Sequence, residues 1–325
     1  MRHLLYISYQ ISCIDIMEKK LSIISHKKAK SLVEKTAAMI FRGCAIISVL
    51  AVVTITGYMI ISGTPAIFKE GITGILFSTT WAPTAAHPQY GIAYVILTSI
   101  VGVFLAICIG VPIGLFTAIN LAEIAPARLR KILKSAIELL AGIPSVVYGL
   151  LGILIVNPMM YKLELMIYHG SKTHQFTGGA NLLSAIIVLA IMILPTLINI
   201  SETALKAVPD DYRKSSLALG ASKMQTIFKV VVPSAKSGIM SAIVLGVGRA
   251  IGEAMAILLV AGNAVSLPLP FNSVRFLTTA IVSEMGYASG THRQVLFTIG
   301  LVLFIFIMVI NLVLTYVLKR GDLDE

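Results

Sequence analysis

The sequence predicts an all-α integral membrane protein with six transmembrane helices and both termini in the cytoplasm. Three observations carry this. First, 57% of the 325 residues are hydrophobic, 13% are charged and mean hydropathy is +0.91, whereas soluble domains carry about 25% charged residues. Second, the apolar residues gather in six runs, each long enough for the ~20 residues that one crossing needs. Third, the connections share basic residues unequally. Twenty Lys and Arg lie on the side of the N terminus and five on the opposite side, with Arg249 inside a run. Cytoplasmic connections are enriched in Lys and Arg, which places both ends there. The same connections explain the net charge of +11. A nucleic-acid surface is excluded, because no basic patch is interleaved with aromatic residues.

Residues 1–36 form an N-terminal cytoplasmic segment. Its first 16 residues are mildly apolar but lack the small-residue cleavage site of a secretory signal. Met17 opens the basic stretch MEKKLSIISHKKAKSLVEK and reads as the natural start. Crossing 1 covers about 37–62. Residues 63–90 form an external loop with Pro65, Trp81, Pro83 and Pro88, and Trp81 and Tyr90 suit the membrane interface. Crossing 2, about 91–120, is longer than one crossing requires. It contains Gly110, Pro112 and Gly114, so a kink or tilt is expected at Pro112.

The connection 121–131 carries Glu123, Arg128 and Arg130. Crossing 3, about 132–157, includes Glu138, expected at the interface, and the run AGIPSVVYG. Gly142 and Pro144 in that run allow a simple kink or a break that frees carbonyls to line a cavity. A second external loop occupies 158–180, and crossing 4 covers about 181–204 with Pro195 inside it. After a charged segment at 206–236 come crossing 5 (238–264), a loop with Pro268 and Pro270, crossing 6 (about 295–318) and a cytoplasmic tail, 319–325. The crossings and the charged segment together make one transmembrane domain, 37–318.

The segment 206–236, KAVPDDYRKSSLALGASKMQTIFKVVVPSAK, reads as a helix–turn–helix elbow outside the bilayer. Pro209 and Asp210 suit the opening of a short helix, which runs to Gly220. Ser222 and Gln225 have the S-x-x-Q form of a capping box opening a second helix, which Pro233 ends. Connections are usually about 2–8 residues. A structured segment of this length that presents Leu217, Leu219, Met224 and Phe228 among charges favours docking to a partner.

In crossing 5, Arg249 and Glu253 stand four residues apart, on one face of a continuous helix. Charges at membrane depth are costly and need a partner, a water-filled cavity or a function. Three readings are open: a self-neutralising structural pair, an arginine that meets an anion while the glutamate orients it, and a gate that breaks in one conformation. From the residues alone the structural pair comes first. Gly248 and Gly252 flank Arg249 in a GxxxG, as Gly110 and Gly114 do in crossing 2. Such spacing lets helices approach closely, and crossing 5 is expected to pack on another subunit.

No reactive set is visible. Ser145 and Ser201 have no His at the same depth. His87, His169, His174 and His292 lie in external loops, and His3 and His26 in the N-terminal region, without metal-ligand spacing. Cys13, Cys44 and Cys108 form no CxxC, and the last two read as small packing residues. No catalysis, metal or bound cofactor is expected of this chain.

The pattern ALGAS, followed by Val230, Val232 and Pro233 with Gly220 thirteen residues before the proline, resembles the EAA loop of permease subunits of bacterial ABC importers. Lys214, Ser215 and Ser216 stand where Glu-Ala-Ala would be, reversing one charge. LLAGIPSVVYGLLG (139–152), LGVGRAIGEAMAILLVAGNA (245–264) and SEMGYASGTHRQVLF (283–297) resemble phosphate-specific importer permeases of the PstC type, over about residues 40–318.

That resemblance implies a type I importer permease in the plasma membrane, forming half of a phosphate pathway. Implied partners are a PstA-type second permease, a PstB-type ATPase pair and a PstS-type external phosphate-binding protein. Implied coupling residues are Tyr212, Lys214, Ser215, Ser216, Leu219, Gly220 and Pro233. The gate reading of Arg249 and Glu253 gains only if the segment 206–236 delivers force from that ATPase to the N-terminal end of crossing 5, as the resemblance implies. ATP and Mg²⁺ would be used by the ATPase, since this chain has no GxxxxGK[ST] loop. The alternatives are a permease for sulfate, molybdate or phosphonate, and a stand-alone secondary transporter or channel. The last predicts inverted repeats, which are not apparent.

Overall fold

The computed structural model describes residues 2–171 and 173–323, with side chains described over 34–171, 173–313 and 315–316. The suggested start at Met17, with His3, Cys13, His26 and the tail 319–325, lies outside the described side chains. The chain divides into two compact units, Met1–Tyr58 and Met59–Glu325.

Helix α1 runs Arg2–Glu70. Within the first unit its apolar side chains, among them Phe41, Ile47 and Val53, are exposed. Such a surface on so apolar a helix suits lipid, which solvates these side chains as well as a protein core would.

In the second unit the elements follow in order: α2 (Ile72–Leu76), β1 (Trp81–Ala82), β2 (Gln89–Tyr90), α3 (Ala93–Ile119), α4 (Ala127–Ala141), α5 (Ser145–Leu151), α6 (Asn157–Ile167) and α7 (Leu182–Ala207). The elbow holds α8 (Asp210–Ala218), α9 (Lys223–Thr226) and α10 (Val232–Ser234). Then come α11 (Lys236–Gly252), α12 (Met255–Val260), α13 (Leu277–Glu284) and α14 (Gly290–Leu323). Residues 63–90 hold a small hairpin within their loop, in which Trp81 pairs with Tyr90 and Ala82 with Gln89, antiparallel.

Helix α7 is the centre of this unit. Its Leu189, Met192 and Ile193 are almost wholly buried, packed with residues of α3, α5, α11 and α12. Close approach to α3 rests on missing side chains: a Cβ on Gly110 would lie 2.7 Å from Ile193, and one on Gly114 3.0 Å from Leu197. A second cluster, with Ile119, Leu121, Ile137, Leu205, Ile227 and Ile239, joins the ends of α3 and α7 to α4, the elbow and α11.

Among the described residues, five helical segments are long and apolar enough to cross a membrane: Glu34–Glu70, Ala93–Ile124, Ser145–Ile167, Leu182–Ala207 and Gly290–Val313. Lys223–Ser234 and Lys236–Gly252, bent by 68° against each other, are together long and apolar enough, and make a sixth where the pair counts as one crossing.

Three crossings differ from expectation. The first helix runs on to Glu70, so Pro65 is inside it and the loop expected from 63 starts after Glu70. The third runs 145–167 rather than 132–157. Residues 127–141 form a separate helix that ends at Gly142, and Pro144, in an extended conformation, opens α5. The expected external loop therefore starts after Ile167. The fifth crossing is not one helix over 238–264: α11 stops at Gly252, and Glu253 is extended, with φ −73° and ψ 132°. Glycine favours the stop, and the Glu253 carboxylate accepts the Ala256 N–H at 2.9 Å, satisfying one of the free N–H groups in the first turn of the short helix that follows.

Candidate functional site

The break in crossing 5 separates the two charged residues that the spacing had joined. Arg249 is on the last turn of α11, half-buried, and its Nη1 donates to Thr196 Oγ1 at 3.1 Å. Thr196 stands on α7 beside Pro195, which is inside the helix. Glu253 lies beyond the helix end. Its side chain turns to Ala256, and its carbonyl accepts from Thr278 Oγ1 at 2.6 Å. The expected Arg249–Glu253 pair on one helix face is not formed, because that face ends at Gly252. Among the described residues, no carboxylate lies within ion-pair distance of Arg249.

A second break lies alongside. Gly142 closes α4, its N–H bonded to the Glu138 and Leu139 carbonyls, and Ile143 N–H reaches Leu140 O. Tyr148 Oη donates to the same Leu140 carbonyl at 2.7 Å, so α5 is tied back across the break. Helix α5 then meets α12: a Cβ on Gly149 would be 3.0 Å from Ala256 Cα. The GIPS run is thus a true helix break; the Glu138, Leu139 and Leu140 carbonyls before it are taken by the protein, and Pro144 O accepts the Val147 N–H. Glu138 is exposed on α4.

The elbow forms with the caps that its residues dictate. Helix α8 starts at Asp210 after Pro209, and Gly220 takes φ +85°, the left-handed turn that glycine accepts without strain. Ser222 and Gln225 make both bonds of the capping box. The second helix ends where Pro233 stands, its helical stretch stopping at Ser234. The bend to α11 follows at Ala235. The elbow is anchored by Ile227 and Val231, both buried, and by the Ser216–Thr226 hydroxyl bond at 2.9 Å.

Leu219 is 89% exposed and Tyr212 53%, with Leu217, Met224 and Phe228 also exposed, so the apolar side chains expected to dock are open. Lys214 is exposed and lies 4.0 Å from Asp211, a pair too open to fix either side chain. Ser215 is likewise exposed.

Two features escaped the sequence. Arg213, beside the position that drew attention, pairs with Glu123, its Nη2 lying 2.7 Å from Oε1. The hydrogen bond to Glu123 raises the Arg213 pKa further above its already high value. Opposite charges 90 residues apart give no spacing signal. At the end of the unit opposite the elbow, two glutamates are hubs. Glu284, 5% exposed, accepts from Trp81 Nε1 at 3.2 Å and from Arg275, and meets His292 Nε2 at 2.7 Å. Glu164, fully buried, meets His174 Nε2 at 2.8 Å and accepts the Thr177 N–H at 3.1 Å. Trp81, expected as an interfacial anchor, is therefore part of a polar junction. Glu284 and His292 sit inside the stretch 283–297, whose resemblance gave no hint of their contact.

The model of the family described as "Binding-protein-dependent transport system inner membrane component" matches residues 110–321. The chain is 38% identical over 303 residues to the "Probable ABC transporter permease protein YqgH" of Bacillus subtilis (strain 168), covering 92% of this chain and 95% of that relative. It is 35% identical over 260 residues to the "Phosphate transport system permease protein PstC" of Pasteurella multocida (strain Pm70), covering 77% and 81%. Among solved structures, a bacterial ABC transporter involved in import of the acidic polysaccharide alginate matches with TM-score 0.54 at 16% identity, over 70% of this chain and 78% of that one. The inward-facing MetNI methionine ABC transporter matches with TM-score 0.51 at 22% identity, over 71% and 94%. These likenesses fix the fold as that of ABC importer permeases. With crossings, elbow and sequence all in agreement, the chain belongs to the family of binding-protein-dependent transport system inner membrane components.

Proposed function

We propose that this chain is the PstC-type permease subunit of an ATP-driven inorganic phosphate importer and forms half of its translocation pathway. The second half is a PstA-type permease. A pair of PstB-type ATPases binds the elbow and uses ATP with Mg²⁺, and a PstS-type protein delivers phosphate from outside. The termini and the elbow 206–236 face the cytoplasm. The PstC relatives support the choice of anion.

The observation that carries the site is Arg249 at the broken crossing, held by a neutral hydroxyl. A carboxylate partner would cancel its charge, whereas Thr196 orients it and leaves it available. The planar guanidinium matches two phosphate oxygens at once. A single such contact is also weak enough to release, as conduction requires. Glu253, turned to the Ala256 N–H, does not compete. The pathway role thus falls to an open Arg249, and the self-neutralising pair loses its basis.

The test is phosphate uptake by vesicles carrying the whole complex. Arg249→Gln should abolish ATP-driven uptake while the complex still co-purifies, and Arg249→Lys should lose most of it. Thr196→Ala removes one hydrogen bond, worth about 1 kcal/mol net, and should lower uptake severalfold. Undiminished uptake in Arg249→Gln would sink the proposal. ATP-driven uptake of sulfate in place of phosphate would change the substrate and keep the permease role.

A further inference from the structure

The elbow is joined to α7 by Val208 and Pro209, both extended, with ψ 127° and 141°. A two-residue extended joint is a poor lever, because rotation about its bonds absorbs displacement of α8. The Arg213 side chain spans that joint. From α8 its Nη1 donates to Val208 O at 2.6 Å and its Nη2 to Leu205 O at 2.9 Å, the latter a carbonyl of the last turn of α7. Its Nε and Nη2 bond the Glu123 carboxylate at 3.2 and 2.7 Å, and Nη1 also reaches Asp210 at 3.3 Å. Glu123 belongs to the π-helical turn Asn120–Ile124 that ends α3.

One guanidinium therefore links the elbow helix to the ends of two crossings. Its five N–H groups all find acceptors, which a lysine with three donors in no fixed plane cannot reproduce. The side chains of Arg213 and Glu123 are 19% and 11% exposed, so salt screens the pair less than it screens surface charges.

We propose that Arg213 is a positioning residue for transport: it carries displacement of the elbow into α3 and α7, and without it ATP hydrolysis no longer drives uptake in proportion. This rests on the function proposed above and adds a route to it. Helix α7 packs against α3 and, through Thr196, holds Arg249. Elbow motion thus reaches the arginine through α7 as well as through the bent pair α10–α11.

The experiment uses the complete complex in vesicles and reads phosphate uptake and ATP hydrolysis together, in the wild type, Arg213→Ala, Arg213→Lys, Glu123→Gln and the exchange Arg213→Glu with Glu123→Arg. Arg213→Ala should co-purify with its partners and keep hydrolysis within about twofold. Its uptake per ATP should fall about tenfold or more, within the range of coupling between distant sites. Arg213→Lys should recover little, and the exchange should recover more than Arg213→Glu or Glu123→Arg made alone, both measured beside it.

Where Arg213→Ala lowers recovery of the complex, Glu123→Gln carries the test, since it keeps the arginine and its bonds to the α7 carbonyls. An unchanged uptake-to-ATP ratio in Glu123→Gln and Arg213→Ala, beside a transporting wild type, overturns the inference alone. A proportional fall of uptake and hydrolysis does the same, because it marks a merely structural role. A wild type without ATP-driven phosphate uptake overturns the proposed function.

Discussion

Gly110–Gly114 in α3 and Gly248–Gly252 in α11 have the same spacing, in crossings of similar composition, and opposite surroundings. A Cβ on Gly110 or Gly114 would press on Ile193 or Leu197 of α7, at 2.7 and 3.0 Å. A Cβ on Gly248 or Gly252 meets nothing within 4 Å, and both glycines are exposed. Helix α11 has its own inward face, where Ala242, Gly246 and Ala250 are buried, and Gly246 lies against Leu197. The GxxxG at 248–252 is therefore a second smooth face, on the other side. A small-residue spacing says only that a backbone can be approached. Whether the approaching helix is in the same chain depends on how the rest folds.

The largest effect is expected where the face is already filled. Gly110→Leu drives a branched side chain into Ile193 in the most buried part of the fold. Overpacking of this kind costs about 1–3 kcal/mol, occasionally more. The purified chain in detergent should lose its helical melt at markedly lower temperature, or fail to accumulate. A Gly110→Leu chain that melts like the wild type would mean that α3 and α7 are not in this register.

Gly114→Ala is the milder version. The added methyl sits 3.0 Å from Leu197 Cβ, an atom with little freedom to withdraw. The strain is offset by the helix propensity gained on replacing glycine, about 0.8–1 kcal/mol. The expected net loss is under about 1 kcal/mol, read as a small downward shift of the same melt. Destabilisation as large as that of Gly110→Leu would show the α3–α7 contact to be tightest toward the elbow.

The two faces also show what the sequence could and could not disclose. Crossing number, the elbow and its caps were legible, because each depends on local chemistry: apolar runs, the Ser222–Gln225 box, the turn at Gly220. The boundaries of crossing 3 were not. A hydropathy window runs smoothly across Gly142–Pro144, and it undervalues the crossing's outer end because Asn157 and Glu164 read as loop residues. The burial of Glu164 depends on partners such as His174 and Thr177, 10 and 13 residues beyond it. The Arg249–Glu253 pair failed for a related reason: i, i+4 spacing means contact only inside a helix, and Gly252 ends this one. Arg213 with Glu123, and Arg275 with Glu284, needed the tertiary fold to meet. The resemblance pointed to the stretches but not to these contacts.

The smallest effect on the chain itself is expected at Gly248, and it bears most on what the open face is for. Gly248→Leu adds a side chain where no neighbour stands, so the melt of the isolated chain should stay within about 0.5 kcal/mol of wild type. Under the function proposed above, with this face packed on the second permease, the same leucine would stand between α11 and that subunit. Co-purification of that subunit should then drop at least tenfold, about 1.4 kcal/mol of association free energy. Gly248→Ala, with one methyl, should fall between leucine and wild type. An importer that assembles normally with leucine at 248 would leave lipid as the neighbour of this face, and the two glycine pairs would differ because one packs in protein and the other in the bilayer.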